Sequence, residues 1–178
     1  MTERIIVAGA GGQGIMLLGK ILATSVMEEE KFVTWLPSYG AEVRGGTAHC
    51  SVIVSDKEIG SPYIKEADAL IVMNNPSFLK FKGRLKNKGL LIANSSLVEN
   101  VTDNKFTVLS YPFTDIASNL GNIRIANMVA LGVYAQATKT LSVNKILHVI
   151  EKIAPPDKRD LIKINQDALR EGAKLVNG

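Results

Sequence analysis

A single cysteine, Cys50, stands among the 178 residues of this chain. One thiol closes no internal disulfide and cannot hold a zinc ion or an iron–sulfur cluster, so both kinds of cysteine scaffold are excluded. Histidine is almost as scarce. His49 falls in mid-strand and His148 on a late helix, and neither has a cysteine, serine or carboxylate at a spacing that builds a triad. No His/Asp/Glu cluster has metal-ligand spacing. Asp103, Asp115 and Asp160 are scattered and read as caps or turns, and Asp68 reads as a turn or strand-end residue. The sequence therefore offers no catalytic residue and no metal site of its own. The net charge of +4 is mild. Aromatic residues do not interleave in a stacking pattern with the basic run Lys80, Lys82, Arg84, Lys86 and Lys88. The run reads as the solvated face of a helix and its exit loop, and no nucleic-acid partner is expected. No apolar run reaches spanning length, and the opening Met1-Thr2-Glu3-Arg4 enters a strand directly. No membrane segment or signal peptide is expected, and the reading is a cytoplasmic protein.

What is present is an alternation of strands and helices. Arg4 to Ala8 is a short β-branched run that predicts a buried strand, and Ile15, Leu18, Ile21, Leu22 and Val26 repeat at helical spacing over residues 15–27. Lys31 to Leu36 reads as a strand closed by Pro37. Thr47 to Ser55 alternates, with Ala48, Cys50, Val52 and Val54 on one face and His49, Ser51 and Ile53 on the other, and residues 58–62 suggest a short hairpin return. Cys50 is expected to be a small core residue. Further strands are predicted at 67–73, 89–93 and 106–110, with helices at 77–85, 127–138, 143–153 and 156–176. Ala126, Ala130, Gly132 and Ala135 would let the helix at 127–138 pack closely. Residues 1–178 are expected to form one domain. Its fold class is α/β, a three-layer α/β/α sandwich on a mostly parallel, Rossmann-like sheet with an antiparallel element.

Two glycine-rich segments carry the functional signal. The first, Gly9-Ala10-Gly11-Gly12-Gln13-Gly14, joins a strand to a helix. There a helix N-terminus offers N–H groups and partial positive charge to a phosphate. A dinucleotide site would also need a carboxylate at the end of the second strand, where Trp35, Leu36 and Pro37 stand instead, so NAD is not expected. Gln13 could bond a ligand carbonyl or cap the helix start. A plain packing turn is the alternative for this loop. The second segment runs from Pro37 to Thr47 and sets Ser38, Tyr39, Glu42, Arg44 and Gly45 in one glycine-rich loop. Arg44 offers a planar fork to phosphate or carboxylate, and Tyr39 a surface for stacking or for an interface. The alternative is an internal Glu42–Arg44 pair that pins the loop. Gly11, Gly12, Gln13, Gly14, Ser38, Tyr39, Glu42, Arg44 and Gly45 form the candidate binding set.

Together with Gly19-Lys20 and Cys50 to Asp56, these two loops in this order resemble the gamma subunit of 2-oxoacid:ferredoxin oxidoreductases, the 2-oxoglutarate type best. Residues 56–62, the strand ending at Asn74, and Asn127 also fit, so the resemblance covers essentially the whole chain. It implies a non-catalytic subunit in a complex that converts a 2-oxoacid and coenzyme A into an acyl-CoA and carbon dioxide, reducing ferredoxin. Thiamine diphosphate and Mg2+ would sit on alpha and beta subunits, and [4Fe-4S] clusters on the beta and ferredoxin-like delta subunits. No cofactor would be bound tightly by this chain. Gly11–Gly14 would cradle the phosphates or pantetheine amides of coenzyme A, Arg44 would supply charge, and Tyr39 and Glu42 would face the alpha–beta core. Ferredoxin would be met only indirectly, and the isolated chain is expected to self-associate through its uncovered partner surface. Two other readings stand beside this one: a stand-alone Rossmann-type nucleotide-binding protein, and a purely structural assembly subunit.

Overall fold

The computed structural model describes residues 1–38, 47–99 and 101–176. The chain runs β1 (Thr2–Ala10), α1 (Ile15–Met27), β2 (Phe32–Ser38), β3 (Thr47–Ser55), β4 (Ala67–Val72), α2 (Asn75–Phe81), β5 (Leu85–Asn94) and β6 (Thr107–Tyr111). It continues through α3 (Phe113–Asn119), α4 (Ala126–Thr138), α5 (Val143–Ile153) and α6 (Ile162–Lys174). The six strands lie in the order β2-β3-β1-β4-β5-β6. β1, β4, β5 and β6 pair in parallel, whereas β3 is antiparallel to both of its neighbours. The sheet is thus mostly parallel with one reversed strand, flanked by helices in an α/β/α arrangement.

The two faces are covered unequally. Ile5, Val7, Cys50, Val52, Ala69, Ile71 and Ile92 point into a large core shared with α1, α3, α4, α5 and α6. The alternate residues Ile6, Ile53, Leu70 and Leu91 meet a smaller cluster built on Phe78 and Phe81 of α2 with Ile64 and Val98 from connecting segments. The period-2 alternation read in residues 47–55 is the physical origin of this division. α4 is buried along almost its whole length, from Ala126 to Ala135, as a helix apolar on all sides must be. Its Gly132 lies against the carbonyl of Leu169 on α6, and Gly172 of α6 lies against the carbonyl of Val129 on α4. The two backbones therefore touch.

Several elements differ from their predicted form. β2 continues through Pro37, which pairs opposite Cys50. An edge strand tolerates proline because its outer side needs no N–H donor. The segment 58–62 forms no strand, so the expected hairpin return is absent and β3 is the antiparallel element. α2 ends at Phe81, a 3-10 turn carries Lys82–Arg84, and Leu85 already belongs to β5, paired with Ala67. Gly83 in the turn is a poor continuation for a helix. Lys88 takes a left-handed φ of 63° in the middle of β5. α3 has no counterpart in the periodicity, because seven residues span too few turns to show a repeat. Before α6, Pro156–Leu161 is a separate 3-10 stretch kinked at Lys158. Asp68 sits inside β4, accepts the Arg4 N–H at 2.8 Å and pairs with Lys86 at 2.6 Å, tying β1, β4 and β5 together at their N-terminal ends.

Cys50 is fully buried against α1, and burial pushes its thiol up to about 12 from an ordinary value of 9.0. The unfolded thiol ionises above its ordinary pKa while the folded one stays protonated, so the unfolded state binds fewer protons there. Stability is therefore expected to fall as pH rises from about 9 toward about 12. Native protein should resist a thiol reagent that labels the denatured chain at once, and rapid native labelling would contradict the burial of Cys50.

Candidate functional site

At the C-terminal end of β1 the chain turns through Gly11, Gly12, Gln13 and Gly14 into α1. The turn is held from inside by Gln13. Its backbone N–H donates to the Ala10 carbonyl at 3.2 Å, its Oε1 accepts the Ala10 N–H at 2.7 Å, and its Nε2 donates to the Met73 carbonyl at 3.2 Å. One side chain thereby staples the ends of β1 and β4. Gly12 and Gly14 both have positive φ, 87° and 69°, a region in which a side chain is strained. A Cβ on Gly14 would collide with the side-chain amide of Asn127, whereas one on Gly12 would meet open space.

Two buried asparagines complete the frame. Asn127, in the first turn of α4, donates from Nδ2 to the Gly14 carbonyl at 3.0 Å, while its Oδ1 is buried without a partner. Asn94, fully buried at the end of β5, donates to the Met73 carbonyl at 3.2 Å and to Thr114 Oγ1 at 2.9 Å. Thr114 returns a backbone N–H to Asn94 Oδ1 at 3.3 Å. β1, β4, β5, α1, α3 and α4 thus converge on one polar scaffold.

Outside this scaffold opens a cleft of about 290 Å³, lined by Gly11, Gly12, Gln13, Met73, Leu97, Thr114, Ile123, Arg124 and Ala126. It lies beyond the carboxyl ends of β1 and β4. There the chain passes from β1 toward β2 and β3 on one side, while β4 and β5 lie on the other. That is the switch point at which open α/β sheets bind ligands. Arg124 is exposed on the rim, its backbone N–H held by Asn122 Oδ1 at 3.0 Å. Among the described residues no carboxylate pairs with its guanidinium. Leu97 and Ile123, 44% and 61% exposed, give the same rim an apolar border. α1 begins without a side-chain cap at Gly14. A cation, a helix start and an apolar lip suit a ligand that carries phosphate and an apolar or amide-bearing arm.

Of the sequence-predicted residues, Gly11, Gly12, Gln13 and Gly14 come together here. Ser38 ends β2, paired with His49, and lines a separate pocket. Tyr39, Glu42, Arg44 and Gly45 lie outside the described residues. The described residues on either side, Ser38 and Thr47, stand at the end of the sheet that carries Gly11–Gly14, where Thr47 pairs with Ala10. Arg124, Thr114 and Asn94 escaped the sequence reading. For Arg124 a signal existed in Asn122-Ile123-Arg124-Ile125, an asparagine cap and an arginine just ahead of a wholly apolar helix. For Asn94 it was an amide closing a buried strand. Among the described residues no three His, Cys, Asp or Glu side chains gather as metal ligands, and no helix is long and apolar enough to cross a membrane.

The fold is an α/β sheet protein with a glycine turn and an arginine lining a cleft at its switch point. Residues 4–175 match the family described as pyruvate ferredoxin/flavodoxin oxidoreductase, and the chain belongs to that family. The 2-oxoglutarate synthase subunit KorC of Methanothermobacter marburgensis is 31% identical over 184 residues, covering 99% of this chain and 97% of that protein. The ketoisovalerate oxidoreductase subunit VorA of the same organism is 34% identical over 130 residues, covering 73% of this chain. This chain spans only 27% of that longer protein. A solved keto/oxoacid ferredoxin oxidoreductase gamma subunit from Geobacter sulfurreducens superimposes with a TM-score of 0.86 at 27% identity, covering 98% of both chains. The resemblance to gamma subunits drawn from the two glycine loops therefore holds, and these relatives are subunits of oxidoreductases.

Proposed function

We propose that this chain works, as a single domain, as the gamma component of a multi-subunit 2-oxoacid:ferredoxin oxidoreductase of the 2-oxoglutarate synthase type, and that its switch-point cleft receives coenzyme A. The observation that carries this reading is the meeting of Arg124, which no carboxylate among the described residues pairs, with the Gly11–Gly14 turn in one cleft. The chain's own contribution is to bind and orient. Arg124 neutralises a phosphate, the turn and the start of α1 present N–H groups, and Leu97 and Ile123 shield the apolar part of the arm from water. Arg44 adds a second charge, and Tyr39 and Glu42 face the partner subunits. Thiamine diphosphate and iron–sulfur clusters on alpha, beta and delta partners would supply the decarboxylation and pass the electrons to ferredoxin. A stand-alone dinucleotide-binding role is disfavoured because β2 ends in Leu36, Pro37 and Ser38, with no carboxylate to hold a ribose.

The test is Arg124→Ala in the assembled, purified complex. Removing one charge-assisted contact of about 1.5–3 kcal/mol should raise the apparent KM for coenzyme A by about ten- to a hundredfold. Subunit composition and the KM for the 2-oxoacid should stay the same. An unchanged coenzyme A KM would remove Arg124 from the site and favour a purely structural subunit.

A further inference from the structure

A second pocket, of about 300 Å³, lies on the other face of the sheet and is lined by Leu36, Pro37, Ser38, His49, Ser51, Tyr63, Ile64 and Arg84. It is built from chemistry the coenzyme A reading does not use. Ser38, His49 and Ser51 share one sheet face, because Ser38 pairs with His49 across β2 and β3, and Ser51 stands two residues along. Tyr63 closes the pocket from the segment before β4 and is 79% exposed. Arg84 arrives from the turn after α2, donating to the Ile64 carbonyl while its guanidinium lies 5.8 Å from the Phe81 ring. The His49 ring packs on the same Phe81 at 4.7 Å.

Three features point to an anion. The hydroxyls of Ser38, Ser51 and Tyr63 make no hydrogen bond to the described residues, and His49 Nδ1 is buried without a partner. Among the described residues no carboxylate lines the pocket. Finally, His49 is held below its ordinary pKa by burial first and then by the cations of Lys80 and Arg84. The Thr47 backbone opposes that shift without closing a hydrogen bond on Nδ1. The pocket is therefore a place of positive potential furnished with three hydroxyls that are not bonded to the described residues. A carboxylate has two oxygens in one plane. Donors on three walls, with Ser38, His49 and Ser51 on the sheet, Tyr63 ahead of β4 and Arg84 after α2, match the four tetrahedral oxygens of a phosphate better.

We propose that the Ser38–His49–Ser51–Tyr63–Arg84 pocket is a phosphate-binding site, distinct from the switch-point cleft. The group bound is a phosphate monoester or the free anion. This assignment does not rest on the coenzyme A reading, because the two pockets share no residue.

The chain carries only two histidines, His49 and His148, so the imidazole NMR signals of the full chain report the site with an internal control. Titration with inorganic phosphate, and separately with adenosine monophosphate, at matched ionic strength should shift the His49 signal saturably and leave His148 in place. His49→Gln identifies the signal. Bound phosphate should also raise the pH midpoint of His49, since a dianion favours the imidazolium. Tyr63→Phe, at an exposed position that does not threaten folding, should weaken binding several-fold. Arg84→Gln should weaken it by about tenfold or more. A response to inorganic phosphate alone assigns the free anion, and tighter binding of the nucleotide assigns a phosphate ester. If neither ligand moves His49 more than His148, or if both variants bind as the parent does, the proposal fails. That result would leave the Arg124 experiment untouched.

Discussion

Gly172→Ala is expected to lower the melting temperature by about 2–12 °C, and Gly132→Ala by a similar amount. At each position the new methyl would land on a backbone carbonyl, that of Val129 or of Leu169, and not on a side chain that could swing aside. Overpacking of this kind costs about 1–3 kcal/mol and sometimes more. In a chain of this length 1 kcal/mol moves the melting temperature by about 2–4 °C. Gly83→Ala is the control, because a methyl there meets open space. Thermal melts followed by circular dichroism separate the cases. A Gly172→Ala protein that melts with the parent would show that α4 and α6 can slide apart at little cost. Because α4 also presents Asn127 to Gly14, loosening this contact is expected to loosen the cleft as well.

The second large effect divides the first glycine loop into two functions. Gly14→Ala should cost about 2–3 kcal/mol. It combines a left-handed backbone penalty of about 1–2 kcal/mol with the loss of the Asn127 bond to the Gly14 carbonyl, worth about 1 kcal/mol. Gly12→Ala carries only the backbone penalty in the free protein, since nothing lies within 4 Å of the added Cβ. It should therefore cost about 1–2 kcal/mol, less than Gly14→Ala, yet lose affinity for whatever approaches the turn, with coenzyme A as the ligand to measure. Denaturant melts and coenzyme A kinetics on both variants would show the split. Equal damage to stability and binding by both substitutions would mean that the turn acts only as a structural joint.

Much of this architecture was legible because buried strands and amphipathic helices write their periods into sequence. α1 and α5 begin and end where the apolar spacing placed them, and β3 divides its residues between two cores as its alternation required. Legibility failed where tertiary contacts overrule local pattern. Pro37 looked like a terminator, yet the edge position of β2 lets it stay in the ladder. Leu85 looked helical, yet pairing with Ala67 draws it into β5. The glycine turn was readable as a turn, but the role of Gln13 was not, since its partner Met73 lies 60 residues away. Arg124 had a local signal in the Asn122 cap just ahead of α4, but its place opposite the glycine turn depends on elements more than 100 residues away.

The reversed strand has a consequence for how this surface can change. Because β3 runs back against β2, the chain departs at Ser38 and returns at Thr47 on adjacent strands, over a ladder that runs from Phe32–Ser55 to Ser38–His49. Those seven pairs clamp β2 to β3, and β3 is clamped in turn to β1, so the edge of the sheet is held up to Ser38 and Thr47. The frame of Gln13, Asn94 and Asn127 draws its bonds from Ala10, Met73, Thr114 and Gly14, and can stay as it is while the sequence at that edge drifts.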